Sequence, residues 1–355
     1  MLIFSIIGTL IGAGFASGQE IYLFFYKYKT YGIFGLVLCS ILISMVIYKT
    51  CNIIYTRKID NYEDFLEEVF HSKKISNISN IIINAFLLIT FYIMISGFGA
   101  YFKQQFQINS IIGSSIISLM CFIVLIKDIE GVKFVNSFIV PALIVIIICL
   151  GFLCFIDILK EAELINLEQK MSSKWLLDAT IYCSYNMILV IPVLVNLGRS
   201  IKNKSQILIV SALSGFIVFI LAFSIFLILL SVNIDYSKIE MPVVYVINNS
   251  YTRFSAIYGV VILASIFSTA ISIGISFLKN ITKKQKSYPQ FVTIMCISGV
   301  LISNFGFSNL VKLLFPIFGY LGVVQIYYIL AIERKTKKTW NCNIIVVFYR
   351  KFKDI

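Results

Sequence analysis

The sequence predicts an all-α integral membrane protein of ten transmembrane helices, and three observations carry that reading. Hydrophobic residues make up 59% of the 355 residues and charged residues only 13%, whereas soluble domains carry roughly 45–50% and about 25%. The mean hydropathy is +0.93, and so few charges cannot cover a water-facing surface of this size. The apolar residues also fall into long runs. A helix needs about 20 of them to cross ~30 Å of hydrocarbon, and ten stretches qualify: 2–26, 32–50, 78–102, 108–126, 133–156, 175–198, 206–232, 253–278, 290–306 and 309–331.

The first stretch is too long for the apolar core of a cleaved signal peptide and no A-x-A site follows it. It reads as a retained span, and it starts almost at Met1, as it would if a few leading residues preceded it. Its centre is unusual. Gly8, Gly12, Gly14 and Gly18 share the helix with the carboxylate of Glu20. Glycine costs ~1 kcal/mol against alanine in a helix interior, and a mid-membrane acid costs ~2.5 kcal/mol or more. A small-residue packing face explains the glycines but not Glu20. A discontinuous helix explains both, with freed amides near Ala13 and Gly14 facing an anion and freed carbonyls facing a cation. Irregular backbone survives in the bilayer only where it lines a cavity or is buried in protein.

Between the second and third spans, residues 51–77 hold Asp60, Glu63, Asp64, Glu67 and Glu68 at helical spacing, which predicts a short surface helix in a polar loop. The sixth span places Asp178, Thr180, Tyr182, Ser184, Tyr185 and Asn186 in its first half, then Pro192 and Gly198. A Pro kink accounts for Pro192; an interruption near Asn186 also accounts for the polar cluster. Interrupted helices opening two halves of five spans point to a transporter built from inverted repeats, about 1–156 and 175–331. Residues 237–250 predict a short amphipathic helix on the outer side. In the eighth span Ser265, Ser268, Thr269 and Ser272 lie mid-helix. Such hydroxyls usually bond back to their own helix, yet facing a break they would offer hard oxygen ligands. The chain closes on a basic tail, 332–355.

Charge placement sets the orientation. With the N-terminus inside, 21 of the 30 Lys and Arg residues fall in inner segments and 9 in outer ones. Both termini are therefore expected in the cytoplasm. The net charge of +13 follows from this asymmetry, and no nucleic-acid partner is needed to explain it. Other function classes close early. His71 is the one histidine, and there is no HExxH, P-loop or metal-spaced Cys/His cluster. The eight cysteines are scattered through apolar runs and predict packing groups without a disulfide framework.

The runs Gly8–Ile21 (GTLIGAGFASGQEI), Ser184–Gly198 (SYNMILVIPVLVNLG) and Phe315–Gly322 (FPIFGYLG) resemble the YkvI-like bacterial membrane proteins, a branch of the amino acid–polyamine–organocation transporter superfamily. The resemblance covers residues 1–331 as one transporter domain. It implies the LeuT-like 5+5 inverted-repeat fold with discontinuous helices one and six, in the bacterial cytoplasmic membrane. It also implies site roles. The Gly8 and Ile11 carbonyls, the Ser268 and Thr269 hydroxyls and the Ser265 carbonyl would match a Na⁺ site joining helices one and eight. The Ala13 and Gly14 amides would match donors to a substrate carboxylate, with Tyr182, Ser184 and Asn186 opposite and Tyr92 as the aromatic hydroxyl. One departure stands out: Gly18 occupies the place of the outer-gate cation, and Glu20 brings a negative charge nearby.

The expected function is secondary active transport of a small amphipathic solute, an amino acid or a related zwitterion or amine, coupled to Na⁺ or H⁺ by alternating access. Glu20 would hold a cation or carry a proton. The expected partners are the lipid bilayer and the small-molecule solute, with no nucleic acid and the oligomeric state left open, and no cofactor is expected apart from a Na⁺ ion. The alternative is a solute sensor on the same fold that binds without transporting. An intramembrane enzyme lacks a catalytic set.

Overall fold

A computed structural model of the protein describes residues 2–160, 173–232, 234–237, 239–282 and 287–332, and helices dominate them. The first predicted span is three short helices, α1 (Leu2–Leu10), α2 (Ala13–Ala16) and α3 (Gln19–Phe24). The chain leaves helical geometry at Gly12, whose backbone is extended, and turns again at Gly18, where φ is +78°. A side chain is strained in that left-handed region, and a Cβ on Gly18 would also stand 2.5 Å from Val243 Cγ2. Glycine is required there twice over.

Next come α4 (Thr30–Arg57), the short α5 (Tyr62–Phe70), α6 (Lys73–Phe106), α7 (Ser110–Leu125) and α8 (Asp128–Lys160). After them run α9 (Lys174–Asn196), α10 (Lys204–Leu230), the short α11 (Pro242–Ser250), α12 (Ser255–Ile281), α13 (Tyr288–Ile302) and α14 (Phe307–Ala331). Among the described residues seven helices are long and apolar enough to cross a membrane: α4, α6, α8, α9, α10, α12 and α14. The apolar α7 and α13 have 16 and 15 residues, short of the ~20 that a full crossing takes. The ten predicted stretches thus become seven full-length helices, two shorter ones and one broken segment.

Both short helices predicted outside the spans are present. Asn61 caps α5, its side-chain oxygen accepting the Asp64 amide at 2.8 Å, and Pro242 opens α11 where no N–H is needed. The basic tail lies outside the described residues from 333 onward.

The interruption expected in the sixth span is not there. The helix α9 runs unbroken from Lys174 to Asn196. Its polar residues are satisfied one turn back: the Thr180 hydroxyl donates to Leu176 O (2.8 Å), the Ser184 hydroxyl to Thr180 O (2.7 Å) and Asn186 Nδ2 to Tyr182 O (2.9 Å). Such back-bonding keeps a polar group inside a continuous helix, and Pro192 withholds only one N–H within it.

Packing places α9 between α4 and α14, with α4 on α10, α6 on α12, α7 on α13, and α8 against α10 and α12. The Phe315–Gly322 motif serves the α9–α14 contact. A Cβ on Gly322 would stand 2.7 Å from Ser184 O, and one on Gly319 would stand 3.0 Å from Ile181 O. Ion pairs mark the two ends of the bundle. Asp178 at the start of α9 holds Lys27 at 2.7 Å and the Tyr28 hydroxyl at 2.7 Å. At the opposite end Arg199 meets Asp60 at 3.3 Å, and Lys49 reaches Ile332 O at 3.2 Å. Large apolar side chains such as Phe34, Ile41, Phe216, Val260 and Leu301 stand exposed on the flanks, a belt that suits hydrocarbon and not water.

Candidate functional site

The site grows out of the two breaks in the first segment. At the first, carbonyls that a continuous helix would use locally meet α12. The Thr269 hydroxyl donates to both Gly8 O (2.7 Å) and Ile11 O (2.9 Å). Ser268 Oγ lies 3.4 Å from Gly8 O and donates to Asn136 Oδ1 of α8 at 2.9 Å. Asn136 Nδ2 in turn donates to Ser272 Oγ at 2.8 Å. Only glycine permits this approach, because a Cβ on Gly8 would stand 2.5 Å from Ser268 Oγ and 3.2 Å from Asn136 Nδ2. The result is a buried set of five neutral oxygens: Gly8 O, Ile11 O, Ser268 Oγ, Thr269 Oγ1 and Asn136 Oδ1.

Four of the five residues expected to form a cation site therefore converge, two by carbonyls and two by hydroxyls. The fifth, Ser265, was expected to contribute its carbonyl; it lies inside the unbroken α12, and its hydroxyl bonds back to Ile262 O at 2.8 Å. Asn136 was missed by the sequence reading. Its one signal was an amide set in an apolar run, a cost in hydrocarbon unless it has partners. One turn along α12 from the cluster, Ser272 and Ser276 line a crevice of about 10 Å³ with Ser5 and with Asn196 at the C-terminal end of α9. That is room for about one water molecule.

At the second break the carbonyls of Ala16 and Ser17 are met from outside the segment. The Tyr258 hydroxyl of α12 donates to Ala16 O, and the Val243 amide of α11 donates to Ser17 O at 2.9 Å. Every backbone group removed from a helix within hydrocarbon needs a partner of this kind. The short helix α11 thus lies across the break.

Between the breaks the expected anion site takes a different form. The Ala13 amide donates to Met94 Sδ at 3.3 Å, and the face of Gly14 is covered by Glu20. A Cβ on Gly14 would collide with Glu20 Oε1 and stand 2.7 Å from its Cδ. Glu20 is 4% exposed, so it folds inward over α2 instead of reaching the headgroup layer. Its Oε2 accepts the Tyr185 hydroxyl, and the Tyr182 hydroxyl lies alongside. Asn186 sits next to both tyrosines. Rings close the rest. Tyr185 stacks on Phe315 at 4.8 Å between centroids and meets Tyr182 at 5.3 Å, and Phe24 lies 5.7 Å from Tyr185.

Three expected site residues sit differently. The Tyr92 hydroxyl is 2.7 Å from Ser298 Oγ, on the α13 side of α6 and away from the break; the α6 residues that face the break are Met94 and Gly97. Ser184 faces α14, as its carbonyl beside Gly322 shows. Ala13 has its amide taken by sulfur.

No family model matches the sequence. The chain is 27% identical over 339 residues to the membrane protein YkvI of Bacillus subtilis (strain 168), covering 92% of this chain and 93% of that one. It is 26% identical over 321 residues to the protein YyaD of the same organism, covering 90% and 92%. Its fold matches that of Mhp1, a nucleobase-cation-symport-1 family transporter solved in a closed conformation with bromovinylhydantoin bound. The TM-score is 0.55 at 12% identity, over 86% of this chain and 73% of that one. The chain is thus a multi-pass membrane protein homologous to YkvI and YyaD, and its fold is that of Mhp1.

Proposed function

We propose that the protein is a secondary active transporter that moves a small amphipathic solute bearing an ammonium group, an amino acid or an amine, together with Na⁺. The observation that carries this is the Thr269 hydroxyl bridging Gly8 O and Ile11 O, two carbonyls at the break in the first segment. Neutral oxygens in a dry site compensate a desolvated Na⁺, and none of the five titrates near neutral pH. The likeness in fold to a cation-coupled symporter supports the same reading. So does the pairing of α4 with α10, α6 with α12 and α7 with α13. Each pair joins elements at corresponding places in two halves, as ten spans in a 5+5 inverted repeat would.

In this scheme Glu20 is the counter-charge of the solute, and α11 with the second break closes the outer side. The crevice at Ser5 and Asn196 marks the inner exit. The protein sits in the bacterial cytoplasmic membrane with both termini inside. Uptake into proteoliposomes under an imposed Na⁺ gradient, against an imposed H⁺ gradient, tests the proposal. A Na⁺-driven flux supports it. Flux that follows only the H⁺ gradient removes the Na⁺ assignment, and solute binding without flux under either gradient turns the reading to a sensor.

A further inference from the structure

The central site is built around a negative charge of its own, and this bears on what it can take. A transporter site for an amino acid must satisfy a carboxylate. Of the two amides expected to do so, that of Ala13 already bonds Met94 Sδ at 3.3 Å, and the Glu20 side chain lies against the Cα face of Gly14. A solute carboxylate placed there would meet the Glu20 carboxylate, and two carboxylates sharing one site repel. Glu20 is also without a cation. The ion pairs among the described residues are Lys27–Asp178, Arg57–Glu68, Lys160–Asp157 and Arg199–Asp60, and none includes it. Buried charges are stable when paired, and here the partners shown among the described residues are the hydroxyls of Tyr185 and Tyr182.

Around that carboxylate stand the rings of Phe24, Tyr182, Tyr185 and Phe315, with centroid separations of 4.8 to 5.7 Å. An aromatic surround with one carboxylate is the chemistry that recognises an organic ammonium: the π faces attract the cation and the acid neutralises it. The same rings hold off bulk water, so the pairing is worth more than at a surface.

Resting on the transporter reading only for translocation, we infer that the central site is specific for an amine or quaternary ammonium that carries no carboxylate, with Glu20 as its counter-ion. An α-amino acid is excluded by the acid that occupies the break. The Tyr185 hydroxyl that now caps Glu20 Oε2 is displaced, or shared, when the ammonium arrives.

The test uses pairs that differ only by a carboxylate: ethanolamine and serine, isobutylamine and valine, phenethylamine and phenylalanine. Thermal unfolding and calorimetry of the purified wild-type protein in Na⁺ give the affinities. In at least one pair the amine should bind about tenfold or more tightly than its amino acid. Glu20→Gln should remove that preference, and Tyr185→Phe, which keeps the ring, should retain it. The inference is overturned if the amino acids bind as well as the amines, if no amine binds, or if folded Glu20→Gln keeps the selectivity. The wild-type comparison decides even where Glu20→Gln does not fold. Counterflow of the same compounds separates the two readings: amine binding without flux strikes the transporter, whereas amino-acid flux strikes this inference alone.

Discussion

Replacing Thr269 with valine isolates the role of one hydroxyl, because the two side chains have nearly the same shape. In the structure that hydroxyl is shared between Gly8 O at 2.7 Å and Ile11 O at 2.9 Å, all of them buried. Leaving a buried acceptor without a donor costs about 1–3 kcal/mol. Gly8 O retains Ser268 at 3.4 Å, a weak substitute, so Thr269→Val should lose about 2–4 kcal/mol in K⁺ medium. Na⁺ adds a second difference. A ligand at a hundred times its Kd stabilises the folded state by ~2.7 kcal/mol, and the variant lacks a ligand oxygen for it. Thermal unfolding in detergent, with Na⁺ exchanged for K⁺ at constant ionic strength, reads both effects. The wild type should rise with Na⁺ and the variant should not. An equal Na⁺-dependent rise in the two proteins, or none in the wild type, would refute the cation reading and leave Thr269 as a cap on two free carbonyls.

Other outcomes follow from the same geometry. Gly14→Val should abolish solute binding in a folded protein, because its Cβ takes the space of the Glu20 side chain; wild-type affinity would return Gly14 to a packing role. Glu20→Gln should insert normally yet transport nothing, which uptake and membrane fractionation check together. Tyr258→Phe removes the donor to Ala16 O and should lower stability by ~1–3 kcal/mol in an unfolding assay. Arg199→Ala breaks a pair whose side chains are 86% and 61% exposed. It should change stability by less than about 1 kcal/mol, and a larger loss would mean that the pair latches the inner end.

How far the sequence reaches differs from element to element. The first segment was legible because glycines and an acid in an apolar run violate local rules at one place, and such violations are paid for only by tertiary partners. The sixth span broke fewer rules than its polar residues suggest. Thr180, Ser184 and Asn186 each bond one turn back, and side-chain composition alone does not separate a satisfied helix from an interrupted one.

The sequence by itself determined the solvent, the helical class, the glycine break and the Ser268–Thr269 pair. Each follows from hydrophobic run length or from the free energy of polar groups in hydrocarbon, quantities that belong to a single segment. Only the tertiary structure decided which side chains enter the breaks. Asn136 joins the oxygen cluster because α8 packs on α12 at that level. Tyr92 leaves the site because its face of α6 turns to α13. Glu20 covers Gly14 because the turn at Gly18 folds α3 back over it. Directions of this kind depend on how helices rotate against one another, and that rotation is set by packing among all of them at once.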